Sequence, residues 1–231
     1  KKIFITGSNG FIGTHLSKKL SKKFKVYKTT RKSLNLLDEK KIQENLNKTK
    51  PDILIHLASS TKFYSNKNLE KKNQFFNTYK TTINIAKNIN KECKLIIFFG
   101  SIEEYGKSKK PFSEGSICKP ISYYGKYKLK SFFEIKKIMK EKKSSYIWLR
   151  PSLTYGKGDN KERFLGGLIT SIKEKKTFKM DSSKKIRDFL YIDDLCKIVL
   201  LILNNEKKKY PKILNLSSKN YIQLLDIPNI V

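Results

Sequence analysis

The sequence predicts an α/β fold, a doubly wound parallel sheet with a small C-terminal lobe. Three observations predict it. Short apolar runs alternate with longer amphipathic stretches, the first run leads into a glycine-rich turn, and the alternation loosens after Arg150. Such alternation implies right-handed βαβ crossovers that lay helices on both faces of one sheet. A chain of 231 residues suits one domain with a small appended lobe.

The runs at 2–6, 25–30, 52–58, 94–100 and 146–150 read as strands. They are short, rich in Ile, Phe and Val, and apolar on both faces, as a parallel sheet covered by helices requires. Helices are expected near 11–23, 39–48, 66–91 and 122–143. After Arg150, four glycines (Gly156, Gly158, Gly166 and Gly167) crowd a loop, and helices follow near 161–175 and 192–204. The expected boundaries are a dinucleotide-binding domain over 1–150 and a substrate lobe over 151–231. The chain starts with Lys rather than Met and its lobe is short, so trimming at either end is an expectation.

The formal charge is +31, from 51 basic and 20 acidic residues. A field of that sign draws in phosphorylated small molecules. Nucleic acid is the less favoured partner. The basic residues are nearly all Lys, spread along the chain, and Arg occurs only at 31, 150, 163 and 187, whereas base and phosphate readers favour the Arg fork. Cys93, Cys118 and Cys196 are odd in number and far apart. They fit a reducing, cytoplasmic setting and argue against a disulfide framework or a zinc site. The longest apolar run, 195–203, is interrupted by Lys197 and too short to span a membrane.

The stretch TGSNGFIG (6–13) follows the first strand and opens the first helix. Gly7, Gly10 and Gly13 allow a tight turn, close approach of backbone N–H groups to a pyrophosphate, and close helix–sheet packing. The helix N-terminus then faces the phosphates. Gly7, Asn9, Gly10, Phe11, Ile12 and Gly13 are therefore the candidate dinucleotide-binding residues. At the end of the second strand, an enzyme preferring NAD usually places an acid against the ribose 2′-hydroxyl. Here Thr30 and Arg31 stand instead. A cation suits a 2′-phosphate, which favours NADP over NAD; the alternative is that Arg31 is one more surface charge.

Tyr124 and Lys128 lie four residues apart on a predicted helix, hence on one face. A free tyrosine, with a pKa of about 10, is a poor acid or base at neutral pH. A neighbouring ammonium favours the phenolate and brings it toward the working range. Chance Tyr-x-x-x-Lys pairs are expected in so Lys-rich a chain, and the context decides between the two readings.

That context resembles the extended short-chain dehydrogenase/reductases, the NAD-dependent epimerase/dehydratase family acting on nucleotide sugars. The resemblance is carried by TGSNGFIG, LNLLD (34–38), IHLAS (55–59), FFGSIEEYG (98–106), Tyr124 with Lys128, LRPSLTYG (149–156) and RDFLYIDDL (187–195), all in family order. It implies a Rossmann-type fold, with Asp38 on the adenine and Leu57 and Ala58 beside the cofactor. Ser101, Tyr124 and Lys128 form the implied catalytic set, and Ser101 also holds the substrate oxygen. Tyr124 would exchange a proton with a sugar oxygen while the nicotinamide exchanges hydride with the carbon. Lys128 would also hold the nicotinamide ribose, and Arg187 the substrate phosphates. Homodimers are common in the family. No metal is implied.

Two departures bear on the reaction. Glu103 occupies the position of a dehydratase acid/base, but Ile102 replaces the second acid that some dehydratases use. Leu153 stands where epimerases carry Asn. Together with Arg31 these favour a reductase, moving hydride between NADP(H) and C4 of a nucleotide 4-keto-6-deoxyhexose. A 4,6-dehydratase or 4-epimerase is the alternative reaction. A non-catalytic basic binding protein is the alternative class. His15 and His56 are expected to have no catalytic role.

Overall fold

The computed structural model describes the chain apart from residues 63, 181–183, 206–209 and 230–231, and apart from the side chains of 228 and 229. The chain divides into two compact units, Lys1–Arg150 with Lys207–Asn215, and Pro151–Glu206 with Leu216–Val231.

The first unit is built on a six-stranded sheet. Its strands are β1 (Lys2–Thr6), β2 (Lys25–Thr29), β3 (Ile53–His56), β4 (Leu95–Phe99), β5 (Tyr146–Pro151) and β8 (Ile213–Leu216). They lie in the order β2-β1-β3-β4-β5-β8. The pairings from β2 through β5 are parallel, with Thr6 opposite both Thr29 and His56. The runs at β1, β3 and β4 are buried as central parallel strands require: every residue of β3 is buried, and β1 and β4 are buried beyond their first residue. The run at 25–30 is not: β2 is an edge strand with Lys25 and Lys28 exposed and only Thr29 buried. The order reverses between β1 and β3, which is where ligands bind in open α/β sheets. The fold is Rossmann-like.

The helices of this unit are α1 (Phe11–Leu20), α2 (Glu39–Thr49), α3 (Lys67–Gln74), α4 (Thr81–Asn88) and α5 (Tyr123–Glu141). The single helix expected over 66–91 is instead three pieces, because Phe75–Lys80 forms a π-helical turn between α3 and α4. Two threonines at the break bond back to the main chain. Thr82 Oγ1 donates to Thr78 O at 2.6 Å and Thr81 Oγ1 to Asn77 O at 3.2 Å, competing locally with the regular ladder. The main core packs Phe4, Leu54, Phe98, Ile135 and Trp148 between sheet and helices.

The second unit contains β6 (Leu153–Tyr155), α6 (Phe164–Lys173), β7 (Ile186–Tyr191), α7 (Ile192–Asn204) and β9 (Tyr221–Gln223). The three strands form a small sheet in the order β6-β7-β9, with β6 parallel and β9 antiparallel to β7. The sequence reading foresees the two helices but none of these short strands. It also assigns 213–215 to the lobe, whereas that stretch belongs to the first unit as part of the sixth strand of its sheet. Strands of three to six residues carry too little periodicity to be seen before their partners are known.

A candidate active site on the Rossmann-like unit

The turn between β1 and α1 is built by its glycines. Gly7 has φ +70°, and a Cβ there would meet Ala58 N at 2.8 Å, so Leu57 and Ala58 are packed directly against the loop. A Cβ on Gly13 would lie 2.1 Å from Gly7 O, so the first turn of α1 rests on the loop backbone. Gly10 is the N-cap of α1, and no acid stands in the first turn. Without a capping side chain, the leading N–H groups of α1 suit an anion. These residues fit a dinucleotide pyrophosphate. Asn9 and Phe11 flank the cap, Ile12 follows in the first turn of α1, and Phe11 packs edge-on against His15.

At the end of β2, Thr30 and Ser33 bond to each other in a tight turn. The exposed Arg31 donates through Nη2 to Asn77 Oδ1 at 3.0 Å. Asp38 is the N-cap of α2: its Oδ1 accepts from Lys41 N at 3.1 Å.

After β4 the chain turns through a short 3-10 segment, Ile102–Glu104, capped by Ser101. Ser101 is buried, and its Oγ accepts from Glu103 N at 3.1 Å. That bond uses a lone pair and leaves the hydroxyl hydrogen for a substrate oxygen. The exposed Glu103 accepts a short hydrogen bond from the Ser122 hydroxyl. Ser122 is the N-cap of α5, and its Oγ accepts from Gly125 N at 3.0 Å. A Cβ on Gly125 would lie 2.5 Å from Glu103 O. The Ser101 turn and the start of α5 are thus tied together.

Tyr124 lies in the first turn of α5, and Lys128 lies one turn further on. Lys128 Nζ stands 5.6 Å from the centre of the Tyr124 ring and donates to Phe99 O at 2.6 Å. The side chain of Lys128 is 2% exposed. Burial lowers its pKa to about 8, with the Glu104 charge opposing the change. A cation held beside a phenol is the arrangement that eases proton transfer near neutral pH. His56 is a satisfied core residue: Nδ1 meets Thr6 Oγ1 at 2.8 Å and Nε2 meets Thr82 Oγ1 at 3.0 Å. Burial, helped by the Lys128 charge, lowers its pKa to about 3, so it is neutral.

The sequence reading missed Glu104 and Arg150, which are both buried and form a salt bridge at 2.8 Å. The pattern Ser101-x-x-Glu104 is a capping-box signature, and both halves of the box are formed. Among the described residues, no group of three or more His, Cys, Asp or Glu side chains is arranged to hold a metal. Nor is any helix long and apolar enough to cross a membrane.

In the second unit, Arg187 is exposed on β7 and donates through Nη1 to Ile186 O at 2.8 Å. Asp188 next to it accepts from Ser218 N and Oγ. Leu153 packs against the small apolar core of Leu165, Phe189 and Leu224.

With this geometry in hand, residues 3–217 match the NAD dependent epimerase/dehydratase family. The chain belongs to that family. Membership makes it an NAD(P)-dependent enzyme. The GDP-6-deoxy-D-talose 4-dehydrogenase of Aggregatibacter actinomycetemcomitans is 28% identical over 88% of this chain and 70% of that protein. The dTDP-D-glucose 4,6-dehydratase of Dictyostelium discoideum is 26% identical over 98% of this chain. Only 60% of that dehydratase's length is spanned. Among solved folds, UDP-glucuronic acid 4-epimerase from Bacillus cereus, in complex with UDP-glucuronic acid and NAD, matches with a TM-score of 0.86. The match has 22% identity and covers all of this chain and 82% of the epimerase.

Proposed function

We propose that the protein is an NADP(H)-dependent nucleotide-sugar 4-ketoreductase, moving hydride between the nicotinamide and C4 of a nucleotide 4-keto-6-deoxyhexose. The observation that carries this reading is the buried Lys128 ammonium beside the Tyr124 ring, with the Ser101 hydroxyl left free to donate by the bond it accepts from Glu103 N. When bound, the cofactor supplies the hydride. Gly7, Asn9, Gly10, Phe11, Ile12 and Gly13 hold its pyrophosphate, Asp38 its adenine side, and Leu57 and Ala58 line it. Arg31 takes the 2′-phosphate, which is why NADP is preferred. Ser101 donates to the C4 oxygen and orients it. Tyr124 gives that oxygen its proton, and Lys128 keeps the phenol acidic while it steadies the nicotinamide ribose. Arg187 grips the substrate phosphates.

The partner of Glu103 favours reduction over dehydration. A 4,6-dehydratase needs an acid/base group beyond the tyrosine. Here the Glu103 carboxylate is engaged by the N-cap hydroxyl of α5, a structural duty. The dehydratase reading keeps one support, the exposure of Glu103 at the family position for that chemistry. The proposal extends to a homodimer, with exposed Leu69, Phe76 and Phe133 as apolar surface for a second copy.

Incubation with NADPH and a panel of nucleotide 4-keto-6-deoxyhexoses is expected to consume NADPH. A protein that binds NADPH but consumes none across the panel sinks the reading. Tyr124→Phe is expected to cost roughly 10²- to 10⁴-fold in kcat with NADPH binding retained. Glu103→Gln separates the two reactions: a reductase keeps most of its activity, and a dehydratase loses nearly all of it.

A further inference from the structure

Among the described residues of the first unit, Glu104 is the most heavily bonded carboxylate. It is fully buried. Its Oε1 accepts from Ser101 N at 2.9 Å and from Trp148 Nε1 at 3.0 Å. Its Oε2 accepts from Arg150 Nε and Nη2, both at 2.8 Å. All these partners are donors, which is the environment of an ionised carboxylate. Burial raises the pKa of the Glu104 carboxyl above the usual carboxylate range, and Arg150 with the two N–H donors offsets only part of that rise; the four donor contacts are the geometry that holds the charge.

The network then runs outward. Arg150 Nη1 donates to Tyr105 OH at 2.8 Å, and Tyr105 OH donates to Asn215 Oδ1 at 2.8 Å. The Tyr105 ring stacks on Phe112. Glu104 therefore anchors the Ser101 turn to β5 and, through Tyr105, to β8. The fit leaves no slack: a Cβ on Gly100 would lie 2.3 Å from Glu104 Oε1 and 2.2 Å from Trp148 Nε1.

The same carboxylate acts on Lys128. Lys128 bonds Phe99 O at the end of β4 and stands beside the Tyr124 ring, with neutral His56 on β3, while Glu104 accepts from Ser101 N two residues beyond Phe99, so the ammonium and the carboxylate hold the same end of β4. Of these, Glu104 is the group that favours the ammonium by charge. Arg150 faces Glu104 from β5 and pairs with it.

We propose that Glu104 is a positioning residue for the proposed reduction, fixing Ser101 by its shape and keeping Lys128 an ammonium by its charge. This rests on the reading of Ser101, Tyr124 and Lys128 as the catalytic set.

Two substitutions divide shape from charge. Glu104→Gln keeps an acceptor for Ser101 N–H and loses the charge. It is expected to move the alkaline limb of the kcat–pH profile, and the NMR titration of isotope-labelled Lys128, down by about one pH unit or more. Glu104→Asp keeps the charge on a shorter arm. It is expected to lose roughly 10²-fold in kcat, with the alkaline limb and the Lys128 titration unmoved.

A purely structural residue would lower Tm in both variants and change neither the pH limb nor the kcat of the folded fraction; that outcome overturns the proposal. If Glu104→Gln fails to fold because Arg150 is left unpaired, Glu104→Gln with Arg150→Met replaces it, with a smaller downward shift of Lys128 expected. An unshifted Lys128 there overturns the charge role. The NMR titration needs no substrate. A Lys128 titration shifted by Glu104→Gln, where the wild-type protein reduces no 4-keto sugar, therefore marks failure of the functional reading, and an unshifted Lys128 in Glu104→Gln, where the wild-type enzyme is active, marks failure of this one.

Discussion

Lys128 shows folding and chemistry pulling in opposite directions. An amine buried this fully costs stability, and the fall of its pKa from 10.5 to about 8 measures the cost. Between those values the unfolded chain binds the proton and the folded chain has released it. Stability from this group therefore rises as pH climbs from about 8 to 10.5, and the full penalty applies below 8. Lys128→Met is accordingly expected to keep or raise Tm at pH 7, by at most about 3 kcal/mol of stability, while activity collapses. Thermal melts at pH 7 and pH 10 check it: the advantage of the variant over wild type shrinks at the higher pH. A Tm that falls in the variant at both pH values would make Lys128 a structural residue. That Tyr124 and Lys128 share a helix face was readable from spacing, and their pairing for chemistry only from the surrounding motifs; the burial that defines the energetics was not readable, because it depends on which helix face meets β3 and β4.

At the scale of elements, the β1–α1 turn places the candidate phosphate site through contacts too short for any side chain. Gly13→Ala would set a Cβ 2.1 Å from Gly7 O and 2.8 Å from Ser8 Cα, both backbone atoms that have no rotamer to yield. The helix has to lift from the loop. A cost of about 1–3 kcal/mol is expected, with NADPH affinity falling further than Tm suggests because the aligned N–H groups move together. Gly10→Ala meets Gly7 O at 3.3 Å and is expected to be much milder. Calorimetric titration with NADPH on both variants makes the comparison, and equal losses would argue against the loop as the phosphate site. The α3–α4 segment offers the opposite lesson. Its helical content follows from the spacing, but its π-turn lies where the Thr81 and Thr82 hydroxyls bond back to the main chain, with Thr82 also meeting His56 Nε2 once the segment has packed.

For the whole molecule, the charge of +31 is the dominant long-range feature. The proposed nucleotide-sugar substrate and the anionic cofactor would both be steered by it, and salt screens that steering over about 8–10 Å. The expected result is a kcat/KM for the nucleotide sugar that falls steeply as ionic strength rises, while kcat changes little. Stopped-flow or initial-rate measurements across a salt series test this. A kcat that falls in parallel would place the salt effect on the chemistry or on the fold instead.

Much of the fold was already present in the order of the residues. The apolar runs, the helical spacings, the glycines of the β1–α1 turn and the Tyr124–Lys128 interval follow from local periodicity and local conformational need, which travel with the chain. What only the tertiary structure decided are the pairings between distant segments. Arg150 reads as an ordinary strand residue until β5 brings it against Glu104 from a turn 46 positions away. Stretch 213–216 reads as the end of a lobe until it joins the central sheet. Glu103 and Glu104 are adjacent and chemically identical, yet one is exposed and holds the cap of α5 while the other is sealed against Trp148 and Arg150. Adjacent residues face different neighbours when the chain turns, and the neighbours that divide these two acids come from β5 and the start of α5.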